Sequence, residues 1–382
     1  AMVADDARAG RAAESPRLTT IHINGRFLAQ PLTGVQRFAR ELTQALDRRI
    51  LRGAVPPALA GAAWRLIVPA EAREAFPLEA IGLDRIGSGT GHLWEQTNLA
   101  RHSREAILVG FGGSGPLLHR RQLTVIHDVT IVRHPESFSR AYRLFHRMLG
   151  TVLTRRATVA TVSDFSRREI GSVFGVDPDG IAVIPNATDH FAALAPDETI
   201  LQRLGLAGGD YFLLVGTLKP NKNIAFAMRA FETLGATGQK LVVVGGVHSQ
   251  VFKGSVYGTG DNLIFAGRLA DAEIAALERR ATAFLFPSLY EGFGIPPLEA
   301  MSQDCPVLAS DIPPVREACG EAALYFDPCD EAGLVGAMRR ILDDPELRRS
   351  LVARGRENAA RFSWDRSATA LLDVVATLAA RP

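Results

Sequence analysis

Two glutamates separated by seven residues are the clearest candidates for chemistry in this chain. Glu291 and Glu299 lie within the run F-P-S-L-Y-E-G-F-G-I-P-P-L-E-A-M, residues 286–301. A carboxylate can accept two hydroxyl hydrogen bonds, which suits the diol of a sugar or a ribose. Gly292 and Gly294 allow the backbone to approach a ligand closely. The run therefore predicts a site for a sugar-like ligand.

The same run predicts an anion site next to the two carboxylates. Pro296 and Pro297 suit the first turn of a helix, where a missing N–H costs little. The helix N-terminus would present free N–H groups and a positive dipole end to an anion such as a diphosphate. Because Glu291 precedes the glycine loop and Glu299 sits in the first turn, both can face one pocket. A glutamate in a first turn also complements the helix dipole, so Glu299 alone permits a purely structural interpretation.

Elements that could position these residues follow from the alternation of apolar runs and helical stretches along the chain. Continuous apolar runs at 123–126, 211–215 and 283–286 are typical of buried parallel strands. Repeated strand–helix alternation predicts parallel sheets with helices on both faces, and ligands bind such sheets at the carboxyl ends of the strands. Since the pattern stops and then restarts, we expect an α/β protein with two doubly wound, Rossmann-like domains.

The domain boundaries are placed where the apolar pattern breaks. We expect a disordered tail over residues 1–17, a first domain over 18–190, a linker over 191–209 and a second domain over 210–363. The helix at residues 364–382 is expected to pack back on the first domain.

At these residues the sequence resembles glycosyltransferase family 4, whose signature is two glutamates separated by seven residues. The resemblance extends from Gly25 to about Trp364. It implies a GT-B fold, with an N-terminal acceptor domain, a C-terminal donor domain and a cleft between them. It also implies a retaining glycosyltransferase in which Glu299 holds the donor ribose and Glu291 lies beside the transferred sugar. Donor-binding roles for Phe293 and Ile295, in the same loop, follow from the resemblance too.

Two stretches of the first half also match the family. T-G-V-Q-R-F-A-R-E-L, residues 33–42, resembles a glycine loop in which a helix N-terminus approaches the donor phosphate or the acceptor, so Gly34 is a predicted donor contact. Thr33 stands where many members have another glycine. L-T-V-I-H-D-V, residues 123–129, places His127 where the family's histidine contacts the donor sugar.

Two stretches of the second half complete the match. In V-G-T-L-K-P-N-K-N, residues 215–223, Lys222 matches the lysine that neutralises the leaving diphosphate, and Thr217 replaces an arginine found in many members. Lys219 or Arg268 is a candidate to supply that missing charge. I-F-A-G-R-L, residues 264–269, matches the segment that holds the nucleotide base, which makes Arg268 and Leu269 predicted donor contacts.

Composition limits the classes of protein to which this chain can belong. The three cysteines show no C-x-x-C spacing, so neither a disulfide framework nor a zinc site is expected, and a cytoplasmic protein fits. The sequence contains no run of about 18 apolar residues, so no transmembrane helix is expected. The net charge of +2 conceals a basic first half and an acidic second half, which suggests different partners for the two domains.

Two tempting motifs are rejected. G-F-G-G-S-G, residues 110–115, leaves no room for the helix that a dinucleotide fingerprint requires. Asp177-Pro178-Asp179 has the D-x-D form of a metal site, but Gly180 follows and the segment indicates a turn. We therefore predict no obligatory metal and no cofactor besides the donor.

The function predicted from these motifs is transfer of a hexose from a nucleotide sugar to a glycan or a lipid-linked glycan in bacterial polysaccharide synthesis. GDP-mannose is the leading donor and a UDP-hexose the alternative; no nucleic-acid partner is expected. The basic amphipathic helix over residues 138–156 permits peripheral contact with an anionic membrane, although packing on its own domain gives the same pattern. A nucleotide-sugar 2-epimerase and a non-catalytic nucleotide-sugar or glycan-binding protein remain alternatives on the same fold.

Overall fold

Two parallel sheets organise the chain. The computed structural model describes residues 19–207, 209–217, 219–245 and 262–381. The tail predicted over residues 1–17 lies outside the described residues. Within those residues thirteen strands form two sheets, and every recorded strand pairing is parallel. The prediction of two doubly wound α/β domains is therefore confirmed.

The first sheet has the strand order β3-β2-β1-β4-β5-β6-β7. Its strands are β1 (Thr20–Asn24), β2 (Ala63–Pro69), β3 (Gly82–Ile86), β4 (Ile107–Gly110), β5 (Gln122–Val125), β6 (Thr158–Thr161) and β7 (Ala182–Val183). The helices of this domain are α1 (Gly34–Leu51), α2 (His92–Trp94), α3 (Ala100–His102), α4 (Thr130–Arg133), α5 (Arg140–Arg156) and α6 (Asp164–Phe174), with one π-helical turn at Glu95–Leu99. Successive strands are added first on one side of β1 (β2 and β3) and then on its other side (β4 onwards). This change of direction creates a crevice at the carboxyl ends of β1 and β4.

The second sheet has the order β10-β9-β8-β11-β12-β13, with the equivalent crevice between β8 and β11. Its strands are β8 (Tyr211–Val215), β9 (Lys240–Val244), β10 (Leu263–Gly267), β11 (Ala283–Phe286), β12 (Val307–Ser310) and β13 (Ala323–Phe326). The remaining helices are α7 (Asp189–Ala192), α8 (Thr199–Arg203), α9 (Ile224–Leu234), α10 (Asp271–Arg280), α11 (Ile295–Ser302), α12 (Pro313–Cys319), α13 (Glu331–Asp343), α14 (Pro345–Ala359) and α15 (Trp364–Ala379).

The central strands are almost entirely buried because helices cover both faces of each sheet. All four residues of β11, A-F-L-F, are buried, and so are all four of β12. Such strands cannot slide or tilt without exposing apolar surface, so the loops at their carboxyl ends are held on a rigid support.

The C-terminal helix α15 packs against α1 of the first domain. The rings of Phe38 and Trp364 lie 5.7 Å apart, and Arg49 pairs with Asp365 at 2.7 Å. The segment 191–209, which we interpreted as the linker, contains α8, and Arg203 there pairs with Glu273 of α10 at 2.6 Å.

Candidate active site

A cleft of about 450 Å³ lies between the two domains, at the carboxyl ends of both sheets. The first domain contributes residues from the start of α1 and from the loops after β5 and β7. The second contributes residues from the loops after β8, β10 and β11. The predicted site residues that line it together are Gly34, His127, Lys222, Leu269, Glu291, Gly292, Phe293, Gly294, Ile295 and Glu299.

The loop after β11 requires glycine at two positions. Gly294 has φ 109°, a left-handed conformation, and α11 begins at the next residue with the two prolines in its first turn. A Cβ on Gly292 would lie 2.6 Å from the carbonyl oxygen of His127, closer than side-chain atoms approach. The glycine loop of the second domain therefore touches the first domain directly beside the predicted catalytic histidine.

Two serines of the first domain hold this loop in place. The Ser163 hydroxyl accepts the Ser166 N–H at the start of α6 and donates to the Gly292 carbonyl, which lies 2.6 Å away. The Ser166 hydroxyl lies 2.8 Å from the carbonyl of His127 and 2.9 Å from that of Gly292. Ser163 is the N-cap of α6, and sequence reasoning missed the contact that it and Ser166 make between the domains.

A lysine and a glutamate form an ion pair in the cleft. The ammonium of Lys222, which follows β8, lies 2.6 Å from a carboxylate oxygen of Glu291, which follows β11. Both side chains are largely shielded from solvent, at 25% and 14% exposure. The lysine also lies over the ring of Phe286. Two residues predicted to act on one ligand are therefore each other's partners.

His127 is held as a neutral imidazole. Its Nε2 donates to the Phe111 carbonyl at 2.8 Å, and the edge of its ring contacts Phe38. Burial lowers its pKa below the usual 6.5. Because Nε2 carries the proton, Nδ1 presents a lone pair that can accept a hydroxyl hydrogen bond. The arrangement suits positioning of a sugar hydroxyl better than proton transfer at neutral pH.

Glu299 sits in a poorly solvated part of the cleft wall. Burial raises its pKa to about 7, against an ordinary 4.5; nearby Arg37 opposes that rise and Asp271 adds to it. A carboxylate near half-ionisation at neutral pH gains from hydroxyl donors, since hydrogen bonds to its charged form stabilise that form.

Sequence reasoning missed an ion pair that crosses the cleft. Arg37 in α1 of the first domain pairs with Asp271 at the start of α10 in the second, with the closest nitrogen and oxygen 2.7 Å apart. Asn186, which follows β7, also lines the cleft, and its buried Oδ1 has no protein partner. Arg37 stands in the matched stretch 33–42, which was the available signal, and Asn186 follows the carboxyl end of a strand, where parallel sheets bind ligands.

Two predicted donor contacts lie outside the cleft. Thr217 and Arg268 are exposed and do not line the cavity, although Leu269, the neighbour of Arg268, does. The candidate replacement Lys219 is also exposed and outside it. The structure therefore gives no support to Lys219 or Arg268 as a replacement for the charge missing at Thr217.

The rejected metal motif forms a single helical turn. Asp177 accepts the N–H of Asp179 at 3.0 Å, directly before β7 and far from the cleft edge of the sheet. In the described part of the chain, no cluster of three or more His, Cys, Asp or Glu side chains is arranged to hold a metal ion.

Comparisons with known proteins agree with this geometry. The family model described as "Glycosyl transferases group 1" matches residues 197–358. The O-antigen chain mannosyltransferase B of Escherichia coli is 34% identical over 266 residues, which cover 66% of this chain and 70% of that protein. The O-antigen chain mannosyltransferase RfbU of Salmonella typhimurium is 30% identical over 254 residues, covering 65% and 67%.

A solved structure extends the likeness to the whole fold. The sucrose-phosphate synthase of Thermosynechococcus elongatus superimposes with a TM-score of 0.71 at 21% identity, over 94% of this chain and 98% of that one. The GT-B architecture implied by the sequence resemblance is confirmed at the level of the fold.

Proposed function

This chain belongs to the group 1 glycosyl transferases, and we propose that it transfers mannose from GDP-mannose, with retention of configuration, to a glycan or lipid-linked glycan of a bacterial polysaccharide. The observation that carries the proposal is the partly buried pair of Lys222 and Glu291 beside the N-terminus of α11. Together these groups provide a cation, hydrogen-bond donors and an acceptor around one point of the cleft.

The pair explains how the donor would be engaged. A diphosphate entering the cleft competes with Glu291 for the Lys222 ammonium, because both are anions that the same cation can neutralise. Once Lys222 moves to the phosphates, Glu291 is left free to accept hydroxyl hydrogen bonds from the sugar. Lys222 and the N-terminus of α11 then stabilise the charge that develops on the leaving diphosphate.

The carboxylates of the cleft support a same-face substitution. Among the described residues four line it, and each has another partner or role: Glu291 accepts sugar hydroxyls once Lys222 has moved to the phosphates, Asp271 pairs with Arg37, and Asp128 accepts the Thr130 N–H at 2.7 Å. Glu299, the fourth, is assigned to the donor ribose. With no carboxylate left as a nucleophile, the acceptor oxygen attacks the anomeric carbon on the face of the departing diphosphate. The bond to phosphate breaks as the new bond forms, and the acceptor proton passes to a leaving phosphate oxygen.

The choice of mannose rests on the printed names of the relatives, which are mannosyltransferases of O-antigen chains. The acceptor side is supported by α5, whose buried residues all lie in its second half, while its first half exposes Tyr142, Leu144 and Met148 among arginines. We propose that this face meets the membrane on which a lipid-linked acceptor is carried. No helix among the described residues is long and apolar enough to cross a bilayer.

A ligand panel tests the donor. GDP, UDP, GDP-mannose and UDP-glucose are compared by thermal shift, since a ligand that binds the native state raises its apparent stability. We expect the guanine pair to give the larger shifts. A larger shift with the uracil pair would replace the donor, and no shift with any of the four would contradict donor binding altogether.

Transfer itself is tested with Glu291→Ala and with the anomeric configuration of the product. We expect the variant to lose about 100-fold in kcat, because it removes a polar contact at the reacting sugar. The product of the wild-type enzyme, examined by NMR, should keep the anomeric configuration of the donor. Near wild-type transfer by Glu291→Ala, or an inverted product, would contradict the mechanism. Conversion of the donor to its 2-epimer without an acceptor would indicate an epimerase instead.

A further inference from the structure

A second concave site lies at the amino-terminal ends of the strands of the first sheet, on the side opposite the cleft. It is a cavity of about 470 Å³ lined by segments that precede three neighbouring strands: Arg120 and Arg121 before β5, Arg155 and Arg156 before β6, and Gly180 before β7. Because the strands are parallel, their amino ends lie away from the cleft. Leu378 near the end of α15 and Arg381 just after it close one side of the cavity.

Five guanidinium groups line this arginine cavity without an acidic partner. Among the described residues, none of Arg120, Arg121, Arg155, Arg156 and Arg381 forms an ion pair, and Arg381 reaches only the Thr158 hydroxyl, at 3.4 Å. The Nε of Arg121 is buried and has no hydrogen-bond partner. Among the described residues of the lining the one acidic side chain, Asp177, already accepts a backbone N–H of its own turn.

Several arginines elsewhere in the same domain have acidic partners. Arg40 pairs with Glu74 at 2.5 Å and Arg133 with Glu169 at 2.6 Å, so acidic partners are supplied at other sites on this surface. Gathering like charges around one concavity raises the free energy of the empty protein, and a bound polyanion would lower it.

We propose that the arginine cavity binds a phosphate-bearing ligand with at least two negative charges. Guanidinium groups match phosphate oxygens through paired N–H donors, which favours phosphate over a simple carboxylate. The volume fits a ligand of metabolite size or a phospholipid head group rather than a single inorganic ion. The site is separate from the donor cleft, so a ligand there does not compete with the nucleotide sugar.

Titration of the full chain with inorganic diphosphate tests this site. The variant is Arg155→Gln with Arg156→Gln, and the matched control is Arg339→Gln with Arg340→Gln, an exposed arginine pair in α13 of the second domain. We expect the first pair to weaken binding by at least about tenfold and the control to stay within about twofold, because only the first pair removes charge-assisted contacts. A parallel titration of Lys222→Ala identifies any heat that comes from the cleft.

A second arm distinguishes the source of the phosphate. Flotation with phosphatidylcholine vesicles containing about one fifth phosphatidylglycerol reports on head groups, since anionic lipid attracts arginines at a membrane surface. Loss of diphosphate binding in the variant assigns a soluble ligand, and loss of vesicle binding alone assigns a head group. Equal binding of both probes by the variant and the control would overturn the proposal. If the first variant does not fold, Arg120→Gln with Arg381→Gln serves in its place.

Discussion

The second-domain wall of the cleft holds a lysine–glutamate ion pair, whereas the first-domain wall presents a neutral imidazole at His127. On the second wall Lys222 and Glu291 are paired at 2.6 Å, and Glu299 lies where burial raises its pKa to about 7. On the first wall His127 is a neutral imidazole fixed by the Phe111 carbonyl. The difference suggests that the second wall stabilises the charge of the departing group while the first wall positions the sugar.

The largest effect that would sharpen this comparison is expected at Lys222. Lys222→Ala removes the cation at the leaving diphosphate, so kcat should fall by about 100- to 1,000-fold. Initial rates at saturating donor measure the loss. Lys219→Ala is the matched control, because Lys219 is exposed and does not line the cleft; its kcat should be unchanged. A similar loss in both variants would mean that the paired lysine has no special role.

A smaller effect on transfer is expected at His127. His127→Phe keeps an aromatic ring near Phe38 but removes the Nδ1 acceptor, and we expect a fall of about tenfold in kcat/KM from one lost hydrogen bond. Because the imidazole is already neutral, the rate of the wild-type enzyme should show no step from His127 between pH 7 and pH 8. A loss as large as that of Lys222→Ala would break the division between a charged wall and a positioning wall.

The free energy of unfolding of the ligand-free protein should depend on the ionisation of Glu299. Its pKa rises from 4.5 unfolded to about 7 folded, so the folded state holds the proton more tightly and stability falls as pH rises through that interval. Glu299→Gln removes this effect, and its free energy of unfolding should exceed that of the wild type by about 1 to 2 kcal/mol at pH 8.

Urea unfolding at pH 4.5 and pH 8 measures this difference. The gain from Glu299→Gln should disappear at the lower pH, where the wild-type side chain is already protonated in the folded state. Glu357→Gln, at an exposed position of α14, should give no gain at either pH. A gain that does not change with pH would point to altered packing rather than to ionisation.

The smallest effect is expected for the ion pair that joins the two walls of the cleft. Arg37→Gln and Asp271→Asn each remove the ion pair across the cleft, whose partners are 18% and 35% exposed. Partly solvated pairs contribute little, so the Kd for the donor nucleotide should rise by about twofold to fivefold. Calorimetric titration of the double variant should give no further loss, because both changes remove one interaction. Additive losses would mean that each side chain contacts the donor separately.

Much of this molecule could be predicted from local sequence pattern. Continuous apolar runs such as 283–286 specify buried parallel strands, and the glycines and prolines of residues 292–297 specify a tight loop followed by a helix. These signals are local, because strand burial, left-handed backbone and helix starts depend on a few neighbouring residues. They placed Glu291 and Glu299 beside one pocket.

Contacts between distant parts of the chain could not be predicted in this way. Lys222 and Glu291 are 69 positions apart, and Arg37 and Asp271 are 234 apart. The sequence predicted Lys222 and Glu291 as separate ligand contacts, and the structure shows that they form an ion pair. Arg268 shows the reverse case, since its stretch matched the family but its side chain lies outside the cleft.

The sequence by itself determined the two parallel-sheet domains and the cleft-lining glutamates, because strand periodicity and turn chemistry are written in adjacent residues. Only the tertiary structure decided which charges are paired, how far burial raises the pKa of Glu299 and which arginines share a cavity. Electrostatic interactions depend on distance in space and on local solvation, and both are fixed only when segments far apart in the chain come together.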